Sequence, residues 1–147
     1  KNPYLIEYNV RMGDPECQVI IPRLKTDLLK IINFSLKNQL KKLKLSWIKS
    51  KCMTIVLCSK GYPGNYKKGT LVAIKKFKGN KNLHIVHAGT KIENGEILSS
   101  GGRVLNVVCM GQNFNSIRKK IIKSIKKINW KGGFYRKDIG WRVIKKI

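Results

Sequence analysis

Residues 115–128, NSIRKKIIKSIKKI, place Ile117, Ile121, Ile125 and Ile128 on one face of a helix and lysines on the other. A lone basic amphipathic helix either lies on a membrane surface or covers one face of a sheet. The runs before it point to the sheet. CMTIVLCS (52–59), TLVAI (70–74), LHIVHAG (83–89) and GGRVLNVVCMG (101–111) are short, apolar and bounded by turn residues. KIENGEILS (91–99) has the shape of a hairpin, with Asn94-Gly95 supplying positive φ at the turn. Asn115 or Ser116 is the expected cap of the helix. The tail GGFYRKDIGWRVI (132–144) reads as a turn and a last strand. No internal repeat is present. The expected class is α+β, within the broad α/β group: a small mixed β-sheet domain with a covering helix.

The first third has a different texture. Residues 4–11 alternate, with Ile6, Tyr8 and Val10 apolar and Glu7, Asn9 and Arg11 polar. Period two predicts a strand with one face in a core. Met12-Gly13-Asp14-Pro15 ends it as a turn. Pro15 then opens a helix in PECQVIIPRL, which Pro22 interrupts or ends. Thr26 is the expected cap of a second helix carrying Leu28, Leu29, Ile32, Leu36 and Leu40 at helical spacing. The polar stretch KNQLKKLKLSW then marks a boundary near residues 41–51. Residues 1–45 and 46–147 are therefore expected to belong to two domains. The chain opens at Lys1 directly into a strand pattern, which reads as a piece of a longer polypeptide.

The formal charge of +25 is the feature most open to misreading. A charge of that size is the usual footprint of a nucleic-acid binder. Lysines outnumber arginines 26 to 6, and isoleucine and asparagine are also abundant. These three residues share AT-rich codons, so genome composition alone produces the same bias. Two readings stay open here: a basic nucleic-acid-binding module, or a solvated surface with no specific nucleic-acid partner. No apolar run approaches the roughly 18 residues of a membrane span, and KNPYLIEYNV lacks the apolar centre of a signal peptide. Cys17, Cys52, Cys58 and Cys109 show no C-x-x-C spacing. They read as small buried hydrophobes in a reducing, cytoplasmic compartment. Trp47, Trp130 and Trp141 read as packing residues.

Against that basic background, three of the seven acidic residues fall within YLIEYNVRMGDPE. On one strand face, Glu7, Asn9 and Arg11 stand about 7 Å apart at their bases, and long side chains converge over that distance. A carboxylate and a carboxamide are hard oxygen donors of the kind Mg²⁺ takes alongside water and nucleotide phosphates. Arg11 beside them suits a phosphate or carboxylate in bidentate fashion. Asp14 and Glu16 follow on a turn that can aim them at the same space. The alternative is a half-exposed strand with ordinary polar residues outside.

IEYNVRMGDPECQ closely resembles the E-F/Y-N-x-R-x-G-D-P-E-x-Q signature of the glycinamide ribonucleotide synthetase (phosphoribosylamine–glycine ligase) family of ATP-grasp enzymes. GYPGNYKKG, HAGTK (87–91), GGRVL (101–105) and FYRKDIGWR (134–142) are similar to its later motifs, in order. The resemblance covers essentially the whole chain but only about the last third of the family's length. It implies that residues 1–45 end an ATP-grasp domain and that 46–147 form the family's carboxy-terminal domain. The implied reaction is ATP-dependent ligation of glycine to 5-phosphoribosylamine through a glycyl phosphate, a step of purine biosynthesis. ATP, glycine and 5-phosphoribosylamine are the implied partners, with the missing amino-terminal part of the same protein; a monomer, inactive as this piece alone, is expected.

On that resemblance Glu7 and Asn9 match the ligands of Mg²⁺ or Mn²⁺. Arg11 matches an electrostatic stabiliser beside the phosphates, Asp14 a contact to the ammonium of glycine, and Gly13 and Pro15 the loop beside that substrate. Ser99-Ser100-Gly101-Gly102-Arg103 is either a phosphate-cradling loop facing the ribose 5-phosphate or a tight turn feeding a strand. Lys91 is expected near the same cleft. His84 and His87, three apart on a strand, point to opposite faces and make no metal pair. The Gly61-Tyr62-Pro63-Gly64 loop reads as structural, and Arg136-Lys137-Asp138 as an internal ion pair.

Overall fold

The computed structural model describes residues 2–75 and 77–144. After an extended lead-in come α1 (Cys17–Ile20), a 3-10 turn at Ile21–Arg23, α2 (Leu28–Leu36) and a second 3-10 turn at Leu40–Lys42. The strands follow: β1 (Lys51–Ser59), β2 (Ala73–Ile74), β3 (Leu83–His87), β4 (Thr90–Glu93), β5 (Glu96–Ser99) and β6 (Arg103–Gly111). Last come α3 (Phe114–Ile125), β7 (Ile128–Asn129), β8 (Gly133–Phe134) and α4 (Trp141–Ile144). The main sheet has the order β3-β6-β1-β8, with two small ladders, β2–β7 and β4–β5, beside it. Every ladder among the described residues is antiparallel.

The core forms where the two periodicities meet. Along β1, residues 53, 55, 57 and 59 are buried and alternate with less buried neighbours. Register pairs Ile55 with Val107 and Leu57 with Leu105, so these side chains share one face. Ile117, Ile121 and Ile125 of α3 cover that face, all at most 7% exposed. The helix covers the sheet, as its apolar stripe requires. It starts earlier than expected: Asn113 caps it, its Oδ1 accepting from the amides of Asn115 at 2.8 Å and Ser116 at 3.3 Å. Asn113→Ala is expected to cost about 1 kcal/mol, read as a lower denaturant midpoint at unchanged slope.

Four other expectations need correction. Thr26 does not cap α2; Asp27 does, its Oδ1 accepting from Lys30 N at 2.9 Å. Thr26 Oγ1 is engaged instead by the amide of Ser46 at 2.7 Å, which helps tie residues 23–26 to 46–48 across the α2 excursion. Of the run 70–74, only Ala73 and Ile74 join a ladder. The tail contributes only Gly133 and Phe134 as strand, and then turns into α4. The largest departure is residues 4–11, which form no strand. Ile6, Tyr8 and Val10 stand 94%, 85% and 102% exposed. Alternation defines a strand only when a neighbour accepts its ladder bonds, and no described strand lies alongside. The hairpin expectation holds: Asn94 and Gly95 take φ of 51° and 77° between β4 and β5.

α1 lies on the other face of the main sheet, against β1 and β6. This face carries Thr54, Val56 and Asn106. It also carries Arg103, for a local reason. Leu57 pairs with Leu105, but Cys58 pairs with Arg103, leaving Val104 as an extra residue in a bulge. Simple alternation would put Arg103 on the α3 side with Leu105. The bulge sends it to the α1 side.

Candidate functional site

Where the lead-in meets β6, a hollow of about 230 Å³ is lined by Glu7, Asn9, Arg11, the Gly13-Asp14-Pro15 turn, Glu16 and Arg103. Its local geometry starts with two-residue spacing along an extended chain, which sets Glu7 and Asn9 side by side. Asn9 Nδ2 donates to Glu7 Oε1 at 2.9 Å, leaving the Asn9 carboxamide oxygen without a protein partner among the described residues. Arg11 donates one bond, Nη1 to the carbonyl of Met12 at 2.8 Å. Among the described residues it makes no ion pair, so most of its fork of donors faces solvent.

The turn that follows is held firmly. Cys17 N donates to Gly13 O at 2.9 Å as α1 begins. A Cβ at Gly13 would stand 2.4 Å from Glu16 Oε2, so a side chain there would displace the Glu16 carboxylate from the hollow. Asp14 accepts from Gln18 Nε2 at its Oδ1, at 2.8 Å. Its Oδ2 lies 3.3 Å from Arg103 Nε, and its carbonyl accepts from Arg103 Nη1 at 2.9 Å. Both carboxylate oxygens therefore already have protein partners.

The expected site residues divide accordingly. Glu7, Asn9, Arg11, Gly13, Asp14, Pro15 and Arg103 share the hollow. Lys91 does not: it pairs with Glu93 at 2.6 Å beside a separate depression of about 460 Å³ lined by His87, Thr90, Ile92 and Ile97. The phosphate-cradle reading of Ser99–Arg103 loses most of its donors. Ser99 N donates to Thr70 O, while Ser100 N and Gly101 N both donate to Gly89 O. Gly101 and Gly102 are needed for close approach instead. A Cβ on Gly102 would meet Tyr62 Cδ2 at 2.1 Å, so the Gly61–Gly64 loop packs on it.

Sequence reasoning gave Gln18 no role, although its spacing of four from Asp14 on a helix opened by Pro15 was a usable signal. His87 is held through Nδ1 by Thr90 Oγ1 at 3.2 Å. Arg136 binds Asp138 through both carboxylate oxygens, which holds that carboxyl below its usual range. Cys58, beside the Arg103–Asp14 pair, has its thiol pushed up by burial; Arg103 lowers it and Asp14 raises it further. A thiol held protonated is no nucleophile at neutral pH.

The donor chemistry admits a hard divalent cation in one form only. Among the described residues, no three His, Cys, Asp or Glu side chains converge as a ligand set. The Glu7 carboxylate and the Asn9 carboxamide are two oxygen donors beside an open hollow. That is enough for a cation that takes its remaining ligands from water and phosphate, as Mg²⁺ does. Among the described residues, no helix is long and apolar enough to cross a membrane.

Comparison with known proteins extends this geometry. Residues 52–142 match the model of the phosphoribosylglycinamide synthetase C domain, more than half of the chain. A phosphoribosylamine–glycine ligase of Agrobacterium fabrum is 44% identical over 144 residues, covering 98% of this chain and 34% of that protein. A chloroplastic phosphoribosylamine–glycine ligase of Arabidopsis thaliana is 41% identical over 148 residues, covering 97% of this chain and 27% of the relative. The crystal structure of the phosphoribosylamine–glycine ligase of Thermotoga maritima superposes with a TM-score of 0.71 at 29% identity, over 93% of this chain and 33% of that one. The chain thus spans about a third of the length of the relatives it matches.

Proposed function

From the premise that the chain belongs to the phosphoribosylglycinamide synthetase family, we propose that it is the carboxy-terminal third of an ATP-dependent phosphoribosylamine–glycine ligase. In this reading, residues 1–45 end an ATP-grasp domain and residues 46–147 form the carboxy-terminal domain. The observation that carries it is the hollow itself: a carboxylate, a carboxamide oxygen and a guanidinium with free donors line one space.

Each residue has a physical task. Glu7 and Asn9 hold Mg²⁺ or Mn²⁺ through oxygen. When bound, the cation neutralises charge on the phosphate oxygens of ATP. Arg11 stabilises the phosphoryl group in transit, a role that needs fixed positive charge and no covalent bond to protein. A carboxylate oxygen of glycine attacks the γ-phosphorus and ADP leaves. The amine of 5-phosphoribosylamine then attacks the acyl carbon, phosphate leaves, and the nitrogen gives up a proton as the amide forms. Gly13 and Pro15 shape the turn beside glycine.

The remaining two-thirds of the family's length is the implied partner. Support comes from the apolar side chains the first third leaves uncovered: Leu5, Ile6, Tyr8 and Val10 in the lead-in, and Leu29 and Leu36 on α2. The reading includes a cytoplasmic, monomeric enzyme of purine synthesis. The relatives named above are ligases, which leaves the basic nucleic-acid module disfavoured and the charge of +25 a property of composition.

The test is ADP release. A family-length protein carrying this chain is expected to sustain ADP release from ATP only when glycine, 5-phosphoribosylamine and Mg²⁺ are all present, with glycine alone giving no more than the first turnover; the 147 residues alone are expected to release none. A family-length protein without that dependence would refute the ligase reading. Turnover by the isolated chain would refute the division of the site.

A further inference from the structure

We infer that Arg103, with Asp14 and Gln18, forms a positioning clamp that ties the cation-binding lead-in to the β-sheet domain, and that Arg103 is not a substrate-phosphate contact. The inference rests on the ligase reading of the hollow.

Four observations carry it. First, Arg103 reaches the α1 face only because of the bulge at Val104. Bulges are devices that re-aim a side chain, and this one aims Arg103 at Asp14. Second, the arginine is used twice on one residue, Nε on the carboxylate and Nη1 on the backbone carbonyl. A planar fork with two partners on one residue fixes orientation as well as distance. Third, Gln18 holds the other carboxylate oxygen from within the first turns after Pro15. Asp14 is thereby fixed on three sides. Fourth, three neighbouring backbone donors, those of Ser99, Ser100 and Gly101, are already spent inside the protein, which strips most of an anion cradle from beside Arg103.

The pair spans 89 residues of sequence and stands just three residues after Arg11. Its side chains are 38% and 36% exposed, so water screens the attraction and its share of stability is small. What it supplies is geometry. Glu7, Asn9 and Arg11 lie on a lead-in with no ladder bonds of its own among the described residues, and three residues after Arg11 the clamp ties that segment to β6. A reacting group misplaced by about 1 Å costs on the order of a hundredfold in rate.

The experiment uses the family-length protein with Arg103→Met, Arg103→Lys, Asp14→Ala and the double variant Asp14→Ala/Arg103→Met. Arg103→Met is expected to lower kcat at least about tenfold while the KM for 5-phosphoribosylamine stays within about twofold. Asp14→Ala should be milder, because the bond to the carbonyl remains. The double variant should be no worse than Arg103→Met alone, and Arg103→Lys should recover part of the loss. Amide exchange at residues 13–18 should quicken in Arg103→Met. A rise in KM for 5-phosphoribosylamine with unchanged exchange would overturn the clamp in favour of substrate contact. So would losses that multiply in the double variant, or no change in either readout. If the wild-type protein shows no ligase turnover, the proposed function fails, and exchange at residues 13–18 still decides the clamp. If Arg103→Met does not fold, Asp14→Ala and Arg103→Lys carry the same comparison.

Discussion

Glu7→Gln in a family-length protein is expected to lower turnover at least about a hundredfold, the scale on which fixed charge acts at a phosphoryl or oxyanion site. The change is isosteric, so the lead-in keeps its shape and the contact with Asn9 survives: the glutamine oxygen can still accept from Asn9 Nδ2, now 2.9 Å from Glu7 Oε1. What goes is one negative charge in the donor pair. Glu7 brings the whole formal charge of that donor pair, so the charge is most of what would attract a divalent cation to it. Raising Mg²⁺ should recover part of the rate, which separates weakened cation binding from damage to the fold. Glu96→Gln, on the exposed start of β5, should leave the kinetics unchanged. Wild-type kinetics and Mg²⁺ dependence in Glu7→Gln would remove Glu7 from the site.

Ile121→Ala is expected to destabilise the chain by about 3–5 kcal/mol, the upper part of the range for deleting a fully buried aliphatic side chain. Ile121 is 0% exposed, at the centre of the helix face pressed on β1 and β6. The cavity would open between two regular elements that hold each other in place, which leaves little room to collapse. Against a typical domain stability of about 5–15 kcal/mol, the loss is enough to unfold much of the population at modest denaturant. Leu36→Ala is the informative control. Leu36 is 78% exposed here, so in the 147-residue chain its removal should cost no more than about 0.5 kcal/mol. In a family-length protein the same substitution should cost more, if the rest of the polypeptide covers α2. Equal small effects in both would leave that face uncovered and remove the main support for the intramolecular partner.

Much of the sheet domain was legible because its signals are local. β1 announces itself as a short apolar run bounded by turn residues, the β4–β5 turn by Asn94-Gly95, and α3 by isoleucines at 117, 121 and 125. Each needs only its own residues and the period of a strand or helix. Cap positions slipped by one or two residues, because Asn113, Asn115 and Ser116 are all competent caps and only the helix path selects among them. The tail was misread because WRVI is apolar enough for a strand, whereas only Gly133 and Phe134 of the tail pair with β1.

The site was half legible for the same reason. Glu7, Asn9 and Arg11 are neighbours by spacing alone, in any extended chain, so their joint use of one hollow is written in the residues. Ile6, Tyr8 and Val10 show the limit. Their alternation marks a face that wants covering, but a face is buried only when something lies against it. The meeting of Asp14 with Arg103 was beyond reach: it depends on β1–β6 register, on one extra residue at Val104, and on α1 crossing the opposite face. Side-chain chemistry and local period belong to the sequence, since both are set within a few bonds. Which distant groups touch belongs to the tertiary structure, because a shift of one residue in strand pairing turns an arginine from one side of a sheet to the other.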